Sequence, residues 1–252
     1  IATPHLGAST SEAQENVAIQ VAEQISDYLV SGAVTNALNM ASVSAEDAPR
    51  LKPYLKLAEQ LGSFAGQITQ SSISKVSIAY SGAVAELNTR PLSAIAIQGL
   101  LSPLIESVNM VNAPVIARER DIEVSEVKKD GSDRYHTLIS LTVTTERQTR
   151  TISGTLFGDS LPRLVDVNGI NLEAEVGPHM LYVINDDKPG FIGDLGSALG
   201  DAGVNIASFH LGRPTKGSDA IALLQLDQEI GETLLAKVRD MPQVQQAQTL
   251  AF

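Results

Sequence analysis

The chain contains no cysteine in its 252 residues. Disulfides, thiolate catalysis and cysteine-ligated zinc are therefore excluded. Basic side chains are scarce as well. Eighteen Lys and Arg stand against 29 Asp and Glu, a formal charge of −11, and a phosphate backbone would need the opposite sign. No nucleic-acid partner is expected. No apolar run approaches the ~18 residues of a membrane span. The opening residues also lack the basic stretch and apolar core of a secretion signal. A cytoplasmic protein without a membrane partner is the default expectation. Gly-x-Gly-x-x-Gly, the turn that cradles a dinucleotide pyrophosphate, is missing too. His136, His179 and His210 show no metal-ligand spacing, so no metal site is expected.

What is present describes a globular chain: 43% of residues are hydrophobic and 19% charged. The length suits one large domain or two of ordinary size. "STSEAQENVAIQVAEQISDYLVSG" predicts a helix. Ser9 and Glu12 fit a capping box, Val17, Val21, Ile25 and Leu29 recur every four residues, and Gly32 provides the stop. "AVTNALNM" follows as an extended segment, and "ASVSAEDAP" (41–49) reads as a linker.

Beyond it, "RLKPYLKLAEQLGSFAGQI" predicts a helix and "SKVSIAYSGAV" a strand. "PLSAIAIQGLLSPLIESVN" predicts a second helix, interrupted or kinked at Pro103. Residues 122–158 read as strands, with Asp130-Gly131 a turn signal. From Pro178 the order becomes strand, helix, strand, strand, helix, strand: βαββαβ, the split βαβ unit. Such an order gives an antiparallel four-stranded sheet with both helices on one face. The other face is left to find a partner. The predicted class is α+β, with boundaries at 1–40, 41–177 and 178–252.

Three stretches carry a resemblance. "TPHLGASTSEAQENVA" resembles the segment around the catalytic histidine of the D-2-hydroxyacid dehydrogenases, and of phosphoglycerate dehydrogenases in particular. "SGTLFGDSLPRLVDVNG" resembles the intervening domain of the long-form members. "NDDKPGFIGDLGSALGDAGVNIASFHLGR" resembles the opening of an ACT domain, a ferredoxin-like ligand-sensing module. They follow one another in the family's order and together cover essentially the whole chain. The resemblance implies a helical remnant of a catalytic part (1–40), an α/β intervening regulatory domain (41–177) and an ACT domain (178–252).

Several residues acquire roles through that resemblance. His5 would be the base that takes the hydroxyl proton while hydride leaves the same carbon. By itself, a histidine after Thr-Pro also fits a surface loop. Asn185, Asp187, Gly190 and Asn205 correspond to positions that hold L-serine in the family's ACT domains. A zwitterion wants a carboxylate for its ammonium, amides for its hydroxyl and a helix N-terminus for its carboxylate. Asp187 as a helix-start charge and Asn205 as a turn residue remain the plain alternatives. Position 185 is often His or Tyr in relatives and is Asn here. Arg163 matches one member of an anion site in the intervening domain, but Glu175 and Gln225 stand where further basic residues would be expected. A lone arginine is also an ordinary surface charge.

The resemblance thus implies the regulatory half of an NAD-dependent 3-phosphoglycerate dehydrogenase. The parent enzyme would use NAD to make 3-phosphohydroxypyruvate in L-serine biosynthesis. This chain would bind no cofactor, sense L-serine and assemble as a homodimer through its ACT domains, with a tetramer as the larger option. Alone it is expected to be inactive. The alternative is a stand-alone amino-acid sensor with no dehydrogenase attached, for which the "TPHLGAST" opening has no use.

Overall fold

A computed structural model describes residues 7–131 and 134–252. The predicted catalytic His5 lies outside the described residues. The chain divides into two compact units, Ile1–Lys52 and Pro53–Phe252.

In the first unit, helix α1 spans Ser11–Ser31. Its cap is Thr10 rather than Ser9. The Thr10 backbone is extended and its hydroxyl accepts the Ala13 N–H at 3.2 Å. Either hydroxyl suits a cap chemically, so backbone geometry selects between neighbours. The stop falls at Gly32, whose φ of 79° is left-handed and whose N–H reaches the Tyr28 carbonyl. The four-residue stripe does not become a buried face: Val17, Val21, Ile25 and Leu29 are all exposed. Within the predicted linker, Val43 forms an antiparallel bridge with Val34.

Helix α2 (Ala48–Gln67) runs into the second unit and carries Pro53 near its start. Helix α3 covers Arg90–Leu101. It ends two residues before Pro103, which has no N–H to offer the Gly99 carbonyl. A separate short helix α4 (Ala113–Glu119), absent from the sequence reading, follows. Glycines let α2 and α3 approach at backbone distance. A Cβ on Gly62 would collide with the Ala96 carbonyl, and one on Gly99 with the Glu59 carbonyl.

Six strands form the first sheet: β1 (Ile73–Gly82), β2 (Glu123–Lys129), β3 (Thr137–Thr145), β4 (Thr149–Phe157), β5 (Leu161–Val167) and β6 (Ile170–Ala174). Their order is β2-β1-β3-β4-β5-β6. Asp130-Gly131 therefore does not close a hairpin, because β2 and β3 lie on opposite sides of β1. The β1–β2 pair is parallel and needs a crossover, which α3 and α4 supply. Val76, Ile78 and Tyr80 pair with Val143, Leu141 and Ile139 to make one buried face. α2 packs on it at Gly154, where a Cβ would strike Leu57 and Leu61.

The second sheet has β7 (His179–Asp186), β8 (Ile206–Gly212), β9 (Asp219–Leu226) and β10 (Val244–Ala251), in the order β10-β7-β9-β8 and antiparallel throughout. Helices α5 (Phe191–Asp201) and α6 (Glu232–Arg239) complete βαββαβ. Alternate residues Leu181 and Val183 join Phe191, Leu195, Leu199, Leu235 and Val238 in one buried core. The opposite face finds its partner in the α2 layer, where the Tyr182 ring meets Phe64. The architecture is α+β with a ferredoxin-like second sheet.

Candidate ligand-binding site

The end of β7 and the start of α5 gather most of the polar residues singled out above. Asn185 lies on the helix-facing side of β7, two residues beyond Val183, and is 2% exposed. Its Nδ2 donates to the Asp186 carbonyl at 2.9 Å. Its buried Oδ1 has no partner. An amide oxygen out of water and without a donor costs about 1–3 kcal/mol, so something must use it or the position is poorly chosen. The Gln243 side-chain oxygen is likewise buried without a partner. Gln243 belongs to the loop before β10, and its carbonyl accepts the Asp186 N–H at 2.8 Å.

Beside Gln243 lies Gly190, the N-cap of α5, with φ 100°. A side chain there would be strained, and none caps the helix. The Gln243 amide nitrogen is 3.9 Å from where a Cβ on Gly190 would sit. A helix start without a side-chain cap, a left-handed glycine with the Asp194 carboxylate 3.7 Å from where its Cβ would sit, and two orphaned amide oxygens thus share one end of the sheet. That arrangement offers acceptors for an ammonium or hydroxyl and backbone N–H groups for a carboxylate.

Asp187 is already engaged. Its carboxylate takes the Gly217 N–H at 2.9 Å and pairs with the Arg213 guanidinium. Those two partners, the Gly217 N–H first, hold the carboxyl below the ordinary range. Asp187 ties the loop after β7 to the loop between β8 and β9, and a ligand ammonium would share it with Arg213.

Asn205 does not join this group within one chain. Its Nδ2 donates to Asp227 at 2.7 Å, at the far end of β9. Asn185 pairs with Ala220, seven residues earlier on that strand, from 220 to 227. At ~3.3 Å per residue the two asparagines are roughly 23 Å apart.

Arg163 on β5 faces the second sheet. Its guanidinium pairs with Glu175 at 3.1 Å, donates to the Pro162 carbonyl at 3.0 Å and lies 5.9 Å from the Phe157 ring centroid. Burial, and then the nearby Arg163 charge, push the His210 imidazole below its ordinary range. The Gln225 side chain lies against Gly177. Arg163 therefore has a carboxylate in place before any outside anion arrives. Among the described residues no cluster of His, Asp and Glu can hold a metal ion. No helix among them is long and apolar enough to cross a membrane.

Comparison with known proteins now decides the family. Residues 50–168 match the D-3-phosphoglycerate dehydrogenase intervening domain, and residues 179–243 match the ACT domain. The chain belongs to the D-3-phosphoglycerate dehydrogenase family. It is 36% identical to the D-3-phosphoglycerate dehydrogenase of Bacillus subtilis over 97% of its length, and that alignment covers 47% of the relative. The enzyme of the same name from Synechocystis is 39% identical over 99% of the chain and 46% of the relative. That of Methanocaldococcus jannaschii is 35% identical over 97% and 46%. The chain thus spans about half the length of these relatives, and corresponds to their C-terminal portion.

Within the family frame, the six-stranded sheet is the intervening domain, and Asn185, Asp187, Gly190 and Gln243 are ACT residues. Gln243 was not singled out from the sequence, where it follows a Met-Pro pair in an ordinary loop. The usable signal is topological: in βαββαβ the last strand pairs with the first, so the residues entering it return beside the end of β7.

Proposed function

We propose that this chain is the regulatory portion of an NAD-dependent 3-phosphoglycerate dehydrogenase, sensing L-serine at the β7–α5 end of its ACT domain. The carrying observation is the Asn185 Oδ1, buried without a donor beside an uncapped helix start. Serine offers what that end lacks: ammonium and hydroxyl donors for the amide oxygens, and a carboxylate for the helix N-terminus. In the parent enzyme, His5 is the proton acceptor and NAD takes the hydride. No residue of this chain is assigned to NAD, and the chain alone is without turnover. The working divisions are 1–40, 41–177 and 178–252.

The distance between Asn185 and Asn205 supports a site made by two copies. Edge strand β10 has its last residue bonded both ways to the Gln67 amide, at 2.9 and 2.8 Å. Strand β8 is the other edge. Two copies joined through β8 about a two-fold axis run antiparallel. The Asn205 end of one then meets the Asn185 end of the other, and serine sits at the seam.

A mixing experiment tests this. Asn185→Ala and Asn205→Ala should each abolish the serine-induced rise in melting temperature seen with the unaltered chain. When the two variants are mixed and re-annealed, half the dimers are mixed and each holds one intact site. Calorimetry should then recover about a quarter of the sites. A mixture that binds no better than either variant rules out the shared site. An unaltered chain indifferent to serine rules out the sensor.

A further inference from the structure

Away from the ACT domain, the intervening domain holds a cleft of about 380 Å³ between α3, α4 and β2. Arg90, the first residue of α3, and Arg118, in the last turn of α4, both line it. Neither forms an ion pair among the described residues. The two guanidinium groups are exposed and share one cleft.

The rest of the lining narrows the ligand. Glu126 adds one carboxylate, held by the Thr89 hydroxyl at 3.1 Å. Ile97 and Ile122 are almost fully buried and give the cleft an apolar wall. Ser93 also lines it, is 5% exposed, and shares a 2.7 Å hydrogen bond with the Tyr80 hydroxyl. Burial holds Tyr80 protonated far beyond neutral pH. When Tyr80 donates, the Ser93 proton is left for a ligand oxygen.

We propose that this cleft binds an acidic α-amino acid, a molecule with two carboxylates and one ammonium. Charges match one to one: each arginine takes a carboxylate, and Glu126 takes the ammonium. The methylenes lie on the Ile97–Ile122 wall. A phosphate would meet the arginines but bring its charge against Glu126, and a neutral amino acid would leave one arginine unanswered. The volume lies within the range of small-molecule pockets. The cleft is separate from the serine site and does not depend on it.

Titration calorimetry of the whole chain with L-glutamate should show one saturable site per chain. Arg90→Ala and Arg118→Ala should each weaken it by about tenfold or more, the loss of a charge-assisted contact. Glu126→Gln should weaken L-glutamate similarly and tighten glutarate, which lacks the ammonium and meets the Glu126 carboxylate only as a like charge. Asp187→Ala should have no effect. Melting curves establish that these exposed substitutions leave the fold intact. The proposal is overturned by no saturable binding of L-glutamate or L-aspartate, by binding that survives both arginine substitutions, or by inorganic phosphate binding as tightly at the same residues.

Discussion

The Phe64 ring on α2 meets the Tyr182 ring on β7 edge-on, with centroids 5.5 Å apart and planes at 83°. The contact joins the helical layer of the intervening domain to the open face of the ACT sheet. It leaves the buried Tyr182 hydroxyl with no hydrogen-bond partner. Burial pushes that phenol up to about 12.

Alkaline stability follows from this placement. Above pH 10 the unfolded chain releases the Tyr182 proton while the folded chain keeps it, so stability falls as pH rises from 10 towards 12. The loss attributable to this residue is ~2 kcal/mol. Tyr182→Phe should be neutral or stabilising at pH 7, since it removes an unsatisfied hydroxyl. It should also flatten the alkaline limb. Denaturant melts at pH 7 and pH 11 check both statements, and a large loss at pH 7 would show an unseen partner.

The α2–α3 contact predicts a steric effect. Gly62→Ala places a methyl against the Ala96 carbonyl, a backbone atom that cannot swing aside. Overpacking of this kind costs about 1–3 kcal/mol. Gly193→Ala, in α5 with open space around it, should instead gain about 0.5–1 kcal/mol from helix propensity. Urea unfolding of the two variants measures the contrast.

Asp187 and Arg213 give a test of competition. If the Asp187 carboxylate receives a ligand ammonium, removing Arg213 frees it, and Arg213→Ala should tighten serine binding severalfold. A structural Asp187 predicts no change or a loss. The same pair has an acid signature. The folded carboxyl lies below its unfolded value, so its contribution is present above the unfolded pKa and is lost as pH falls through the folded one. Asp187→Asn should therefore reduce the acid dependence of unfolding at low pH.

The sequence by itself determined what depends on near neighbours in the chain. The Gly32 stop, the alternation of Val76, Ile78 and Tyr80, and the βαββαβ order of the ACT domain were all legible, because caps, strand faces and turn-bounded elements are set within a few residues. The four-residue apolar repeat of α1 was legible too, yet its stripe stays exposed, because periodicity describes a face and not what covers it. Only the tertiary structure decided which distant residues meet. It set β1 between β2 and β3, so Asp130-Gly131 closes no hairpin. It paired Arg163 with Glu175 and Asp187 with Arg213, so each of these two expected ligand contacts has a charged partner within the chain. It also brought Gln243 to Asn185 and carried Asn205 to the opposite end of the sheet. The reason is strand pairing: residues five or sixty apart become neighbours or strangers according to register, a long-range property that no local pattern in the chain encodes.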